Sequence, residues 1–329
     1  MKVAHRRSVR RLSAALLAAF ALVLAMTSPS AAGGVRGEQA DPVQVKPLSV
    51  RSVAPMGAKA AELTASARGG QARAARPEGA ARTQAARSFH ALQLNLCNSG
   101  KAKCYAGGRA IYEGGDLIYA LAPDLVTLNE ICSIDLPNYL QPSLAEAWPG
   151  DWTYYVFYPA LDKPTGNPIT CTNGGTFGNA VLGRVPAAQW QGANGWVGAY
   201  STQDSGNEVR TFACAYAVGD HLSCATHLSA NSEPIALAQC KALTFDAVPY
   251  IRSQEGISGK TVVGGDFNLE YDTSDPENAQ NCVPGGNTRK GDGDVQHVIF
   301  SNDFSFVSRS TYGLSYSDHD GLLIRLTKP

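Results

Sequence analysis

The chain has 329 residues, with 28 Lys and Arg against 28 Asp and Glu, so its formal net charge is zero. That balance hides an asymmetry: residues 1–87 hold 14 basic and 4 acidic residues, which leaves 14 basic and 24 acidic in the remainder, a net charge of −10. An acidic body argues against broad electrostatic capture of nucleic acid, but does not exclude an acidic metal site acting on a phosphate, where the cation supplies the positive charge.

Residues 1–32 read as a secretory signal peptide. Lys2, Arg6, Arg7, Arg10 and Arg11 precede an apolar run from Leu12 to Ala25, and Ser30-Ala31-Ala32 supplies a small-residue cleavage site. The apolar run is short for a membrane span, and no other stretch is long and apolar enough to be one. Residues 33–87 are rich in Ala, Arg, Gly, Gln and Pro. They lack the apolar surface that offsets the entropy of ordering, so they read as a flexible linker or pro-segment; an amphipathic Ala/Arg helix is the alternative.

The character changes at Ser88, and residues 88–329 are long enough for one large α/β domain. All eight cysteines lie there: Cys97, Cys104, Cys132, Cys171, Cys214, Cys224, Cys240 and Cys282. An even number in an exported chain predicts disulfides. No CxxC pair occurs, which argues against a zinc cage. Short loops suggest Cys97–Cys104 and Cys214–Cys224; the other pairings are not readable.

In chain order, Phe89–Leu96 alternates as a strand with Leu92, Leu94 and Leu96 on one face and Asn95 on the other. Arg109–Leu121 has helical period, weakened by Gly114-Gly115. Leu125–Leu128 is a buried strand ending in Asn129-Glu130. Trp152–Tyr158 and Gly178–Leu182 read as strands. Glu208–Val218 and Leu222–Leu228 read as a pair around Gly219-Asp220, with His227 near the end of the second. Ser232 is a candidate helix cap with Pro234 in the first turn, opening a helix to about Ala247. Residues 278–292 read as a polar, glycine-rich loop. Val295–Ser301, Phe304–Ser308 and Gly321–Leu326 complete the strands.

The stretch KTVVGGDFNLEY, 260–271, carries the sharpest signal. Thr261–Val263 reads as a buried strand, after which Gly264-Gly265 lets the backbone turn. Asp266 and Asn268, two apart on extended backbone, would face one spot together and suit a water or a phosphate oxygen. An Asp/Asn turn after a strand is the plainer alternative. Asn95, Glu130, His227, Asp266, Asn268, Asp318 and His319 all stand at strand ends. Hard oxygen donors such as Asn95, Glu130 and Asp318 suit Mg2+ or Ca2+. Two histidines beside carboxylates suit phosphate hydrolysis. Taken singly, a histidine after a strand is a hydrogen-bonded structural residue, and a glutamate there is solvated surface.

QLNL, LNEI with Glu130, GNAVLGR with Asn179, EVR with Arg210, THL with His227, GGDFN and SDHDGLL together resemble the endonuclease/exonuclease/phosphatase superfamily over about residues 89–326. The resemblance implies an α/β fold, a four-layered α/β/β/α sandwich of the deoxyribonuclease I type. It implies a divalent cation, Mg2+ or otherwise Mn2+ or Ca2+, and cleavage of a phosphoester by an activated water. By motif, Asn95 and Glu130 would hold the metal with Asp318 in support. His227 would contact the phosphate, Asp266 and Asn268 would orient water and oxyanion, and His319 would act as base or positive clamp. Arg210 would sit near the phosphate, with Glu208 and Asn179 as possible support.

One position departs from the family. Where many members carry an Asp paired to the SDH histidine, this chain has Gln296, with Asp294 two residues earlier as a possible substitute. Gln holds an imidazole by hydrogen bond but does not stabilise its cation as a carboxylate does.

The expected function is a secreted, extracellular metal-dependent phosphodiesterase, foremost a nuclease on DNA or RNA, with a monomer expected. A sphingomyelinase-like lipid phosphodiesterase or a phosphatase is the alternative, for which Trp190 and Trp196 would form an exposed aromatic hairpin tip, unless they pack at a sheet edge. A non-catalytic binding module with this fold is the third reading.

Overall fold

The computed structural model describes residues 43–55 and 88–328. The expected signal peptide, 1–32, lies outside the described residues, as do 33–42 and 56–87 of the expected linker. Within that linker, however, Gln44–Leu48 (β1) and Arg51–Val53 (β2) are strands, which corrects the flexible reading for this stretch.

The remaining elements follow in order: Ser88–Asn95 (β3), Arg109–Leu121 (α1), Leu125–Cys132 (β4), Gln141–Ala147 (α2), Asp151–Pro159 (β5), Leu161–Asp162 (β6), Phe177–Pro186 (β7), Ala193–Ala199 (β8), Glu208–Val209 (β9), Thr211–Ala217 (β10), His221–His227 (β11), Glu233–Lys241 (α3), Val248–Glu255 (α4), Thr261–Asp266 (β12), Asn287–Gly291 (β13), Gln296–Ser301 (β14), Ser305–Tyr312 (β15) and Gly321–Thr327 (β16). One seven-stranded sheet runs β1-β8-β10-β11-β12-β14-β13 and the other β15-β16-β3-β4-β7-β5-β2; β6 and β9 form a small ribbon.

Alternation along each strand divides the apolar residues among three layers. Ala91, Leu125, Val156, Val181, Ala213, Ala225, Val262, Val298 and Ile324 fill the space between the sheets. Leu92, Leu94 and Leu96 point the other way and meet Ile111 and Ile118 of α1 and Leu144 of α2. Phe212, Leu222 and Val263 meet Ala236 and Cys240 of α3 and Ile251 of α4. The result is the four-layered α/β/β/α sandwich of the deoxyribonuclease I-like fold. The paired glycines of α1 allow its close seat: a Cβ on Gly114 would press on Leu96, and one on Gly115 on Ser143.

β1 and β2 form a strap. β1 pairs antiparallel with β8, Gln44 opposite Ala199 and Leu48 opposite Gly195, while β2 pairs with β5 of the other sheet. One short segment thus covers an edge of each sheet. The strap is nearly all exposed and carries Pro47, so its sequence has no buried periodicity; its partner accommodates it instead. A Cβ on Gly195 would collide with the Leu48 carbonyl, and one on Gly198 with the Gln44 carbonyl. Val50 packs on the inter-sheet core.

Other differences from expectation are local. β13 lies inside the expected 278–292 loop; NTRKG has no apolar face because it is an edge strand. The helix expected to stop near Ala247 continues through a π-type turn, 242–247, into α4, and ends at Gly256 in a left-handed cap with φ 64°. Trp196 lies within β8 and donates to Glu255 Oε1 at 2.6 Å, and Trp190 stacks on Trp152. Neither makes an exposed tip. The four disulfides are Cys97–Cys104, Cys132–Cys171, Cys214–Cys224 and Cys240–Cys282, including both short-loop pairs.

Candidate active site

Topology brings the polar strand ends together. β3 and β4 are parallel neighbours, so Asn95 and Asn129 end side by side; β11 and β12 are parallel neighbours, with His227 opposite Asp266. β16 runs antiparallel to β3, and its start therefore delivers Asp318 and His319 to the same end. The two sheets meet here through Asn95 Nδ2, which donates to Asp266 Oδ2 at 3.0 Å and to Glu130 Oε1 at 3.0 Å.

Glu130 stands where the β4–β7 register breaks between Leu128 and Ile131, and its φ is +54°. A bulge and a left-handed non-glycine residue re-aim this side chain from the expected strand direction. Burial pushes its carboxyl up to about 7; the Asn95 hydrogen bond opposes this, while Asp266, Asp318 and Glu208 add to it.

Asp266 is buried. Burial raises its pKa, and His319, Asn95 and the Asn268 amide hold it down. His319 Nε2 lies 3.3 Å from Asp266 Oδ2 and 3.9 Å from Asp318 Oδ1. Ser317 Oγ fixes the loop by donating to the Asn95 carbonyl at 2.7 Å.

His227 is buried, and its pKa lies well below the ordinary value because of burial first, then Arg210 and His319. Its Nδ1 has no hydrogen-bond partner and lies 3.9 Å from Glu130 Oε1. Arg210 is also buried; its Nη1 is 3.0 Å from Glu208 Oε1, an ion pair whose angle leaves that nitrogen without a directed hydrogen bond. Two buried nitrogens with unspent hydrogen-bonding capacity are what an incoming phosphate oxygen requires.

Several expectations are corrected. Gly264 and Gly265 do not turn the chain: both lie within β12, where a Cβ would collide with Thr127 of the facing sheet and with the Thr226 carbonyl. Asn268 is not on extended backbone. Its φ is +49°, its amide donates to Asp266 Oδ1 at 3.1 Å, and its Nδ2 donates to the Leu228 carbonyl at 3.0 Å. The plainer Asp/Asn turn is therefore present, at the centre of the site.

Gln296 lies opposite Asp266 in the register, its side chain bonds to the Asp266 carboxylate and helps hold its pKa down, and its Oε1 accepts from Gln93 Nε2 at 2.8 Å. Asp266 itself is the carboxylate at His319. Asp294 is exposed in the loop before β14, where its backbone amide caps Asp292, so it replaces nothing.

Beneath these groups lies a layer of neutral side chains, of which Gln93 and Asn129 are absent from the expected set and Asn179 belongs to it. Gln93 Nε2 also donates to Asn129 Oδ1 at 2.7 Å; Asn129 Nδ2 donates to Asn179 Oδ1 at 2.9 Å and to the Thr226 carbonyl; Asn129 Oδ1 accepts from the Asp266 amide at 2.8 Å. Asn179 thus supports the site from below. The alternation in QLNL held the signal: Gln93 and Asn95 share the inward face of a buried strand.

The donor set fits a hard divalent cation. Burial raises the pKa of Glu130, with Asp266 and Asp318 adding to it, and a cation there would offset the repulsion among these carboxylates. Asn95, expected as a ligand, instead turns its amide nitrogen toward two of them and its oxygen toward the Cys97 amide, so it orients the carboxylates. Cys97 and Cys104 also lie close to Asp318, but their disulfide removes both thiols as ligands.

Residues 115–319 match the model of the Endonuclease/Exonuclease/phosphatase family. Among solved structures, an endonuclease/exonuclease/phosphatase from Beutenbergia cavernae DSM 12333 is 20% identical over 74% of this chain and 72% of that one, with a TM-score of 0.45. Truncated TDP2 from Caenorhabditis elegans is 16% identical over 73% and 98%, with a TM-score of 0.46. ANGEL2, a 2',3'-cyclic phosphatase, is 14% identical over 73% and 95%, with a TM-score of 0.46. No curated protein matches the sequence. The match spans more than half of the chain, which belongs to the endonuclease/exonuclease/phosphatase family of phosphoester hydrolases, enzymes that generally use divalent metal ions.

Proposed function

We propose that the protein is a secreted, Mg2+-dependent phosphodiesterase that hydrolyses nucleic acid. The observation that carries this reading is the pair of histidines around one carboxylate cluster: His319 at 3.3 Å from Asp266, and His227, with a free Nδ1, at 3.9 Å from Glu130. Glu130 and Asp318 would hold the cation, while Asn95 orients Glu130 and Asp266 through its amide nitrogen. Bound there, Mg2+ would supply positive charge to the phosphate oxygens.

The protein's own groups do the rest. His227, kept neutral by burial, donates from Nδ1 to a phosphate oxygen, and Arg210 adds fixed positive charge beside it. Asp266 orients the attacking water, and the Asn268 turn fixes the Asp266 carboxylate. His319, held by Asp266, takes or gives the proton. Export is supported by the paired cysteines, since disulfides persist in oxidising compartments. No helix among the described residues is long and apolar enough to cross a membrane.

The test is incubation of the purified protein with plasmid DNA, RNA, sphingomyelin vesicles and bis(4-nitrophenyl) phosphate, in Mg2+ and in EDTA. Nucleic acid and the aryl diester should be cleaved in Mg2+ only. Cleavage confined to sphingomyelin would replace the substrate class, and cleavage undiminished by EDTA would remove the metal.

A further inference from the structure

The edge of the sandwich opposite the strap is formed by β13 of one sheet and β15 of the other. Of the 14 Lys and Arg after residue 87, three gather on these two strands: Arg289, Lys290 and Arg309. Two of them lie over the faces of exposed aromatic rings. The Arg289 guanidinium lies 4.3 Å from the centroid of Tyr271, and Lys290 Nζ lies 4.4 Å from that of Phe306. Tyr271 is 55% exposed and Phe306 41%. Arg309 Nη1 donates to the Gly291 carbonyl at 2.7 Å and ties the two edge strands together.

This surface connects to the catalytic loop. His297 Nε2 meets the Leu269 carbonyl at 2.7 Å, and its Nδ1 meets Arg289 Nη1 at 2.9 Å. Leu269 and Tyr271 follow directly from Asp266 and Asn268. Of the nearby carboxylates, Asp272 accepts from the Ser274 amide and hydroxyl, and Asp292 from the amides of Asp294 and Gln296, while Glu270 and Asp294 are exposed.

We propose that this edge binds a single-stranded polynucleotide, with its phosphates on Lys290, Arg309 and Arg289 and its bases on Tyr271 and Phe306, and leads it to the strand-end cluster. Interleaved cations and aromatic faces match the alternation of phosphate and base, and only an unpaired base offers its face for stacking. In a body of net charge −10, a local cationic strip also confines such a strand to one path. The inference deepens the phosphodiesterase reading and rests on it for the strand's destination, but binding is measurable without catalysis.

The experiment uses the purified full chain in EDTA with a fluorescein-labelled 20-nucleotide oligo(dT), the matching duplex, and sphingomyelin vesicles, followed by anisotropy or co-sedimentation over a range of NaCl. The single strand should bind more tightly than the duplex. Tyr271→Ala and Phe306→Ala should each weaken binding by about 5- to 100-fold, the loss expected for one base–aromatic stack. Lys290→Gln should lower the slope of log K against log salt by about 0.7. Lys241→Gln, on α3 of the outer layer, is the control that should change nothing.

Circular dichroism verifies that each variant is folded. Equal binding by wild type and the edge variants, no binding by wild type, or binding only to vesicles overturns the proposal. Concentration-dependent self-association lost in the same variants would mark the edge as a contact between copies and also overturn it. Hydrolysis of bis(4-nitrophenyl) phosphate in Mg2+ separates the two readings. Hydrolysis without strand binding removes only this surface, and strand binding without hydrolysis removes only the enzymatic reading.

Discussion

At one edge of the sandwich, β8 and β5 are each covered by a strand from residues 44–53; at the other, β13 and β15 face solvent and carry cations laid over aromatic rings. An uncovered strand edge invites pairing with another chain, and proteins blunt it by covering it or by charging it. Here one edge is covered and the other is charged. The covered edge relies on backbone pairing and on glycines in its partner, so its work is stability. The charged edge has no strand laid over it and is the surface proposed to bind a polynucleotide. The proposed catalytic groups lie between them, on the ends of the inner strands β3, β4, β11 and β12.

If the edges divide the work in this way, the largest losses of activity come from neither edge. His319→Ala and His227→Ala should each lower turnover of a phosphodiester by on the order of 10²–10⁴, the range for a positioned acid–base group. Thermal stability and oligonucleotide affinity in EDTA should stay near wild type. Turnover within a few-fold of wild type would make both histidines structural, and a parallel loss of strand affinity would merge the centre with the open edge.

The strapped edge has a sharper test. Gly195→Ala puts a Cβ against the Leu48 carbonyl and should cost about 1–3 kcal/mol of stability. A chain starting at residue 56 should lose stability too, and in that shortened chain Gly195→Ala should cost clearly less. Urea unfolding of the four proteins gives the coupling directly. Additive losses would mean that Gly195 does not serve the strap.

Acid should distinguish the edges again, through His297. Its pKa is lowered to about 3 by burial first and then by Arg289. Between about pH 3 and 6.5 the unfolded chain binds this proton and the folded chain does not, so the folded state loses stability as pH falls through that window. At pH 5.5 the loss from this group is about 1 kcal/mol. Amide exchange at pH 5.5 against pH 7.5 should show loosening first around residues 269–271 and 287–291, with β1 and β8 unchanged; uniform loosening would contradict a role for His297 as the anchor of the open edge.

Much of this architecture was legible because the inner strands carry it in their own residues. QLNL, LNEI and THL alternate or run apolar in ways that fix both strand and face, and Arg109–Leu121 has a helical period that matches the observed bounds. What was not legible depends on a partner. β1 and β2 owe their place to glycines about 150 residues away in β8, and β13, with no apolar face, is a strand only because β14 lies beside it. The site divides likewise. GDFN and SDH announce their residues, but whether His319 meets Gln296 or Asp266 depends on the packing of two sheets. The left-handed turn at Glu130 comes from a bulge that its own sequence does not mark.

Glu130 is proposed to belong to a cation site on which phosphodiester hydrolysis depends. Its carboxyl is raised to about 7, so Mg2+ binding must compete with a proton, and affinity should rise as pH increases from 5 toward 8. The direct measurement is calorimetric Mg2+ titration of wild type and Glu130→Gln at pH 6 and pH 8, paired with hydrolysis of bis(4-nitrophenyl) phosphate. Wild type should bind Mg2+ more tightly at pH 8 and release protons at pH 6, while Glu130→Gln should bind weakly at both, show no proton release and lose hydrolysis. Unchanged Mg2+ affinity and undiminished hydrolysis in Glu130→Gln would contradict the claim.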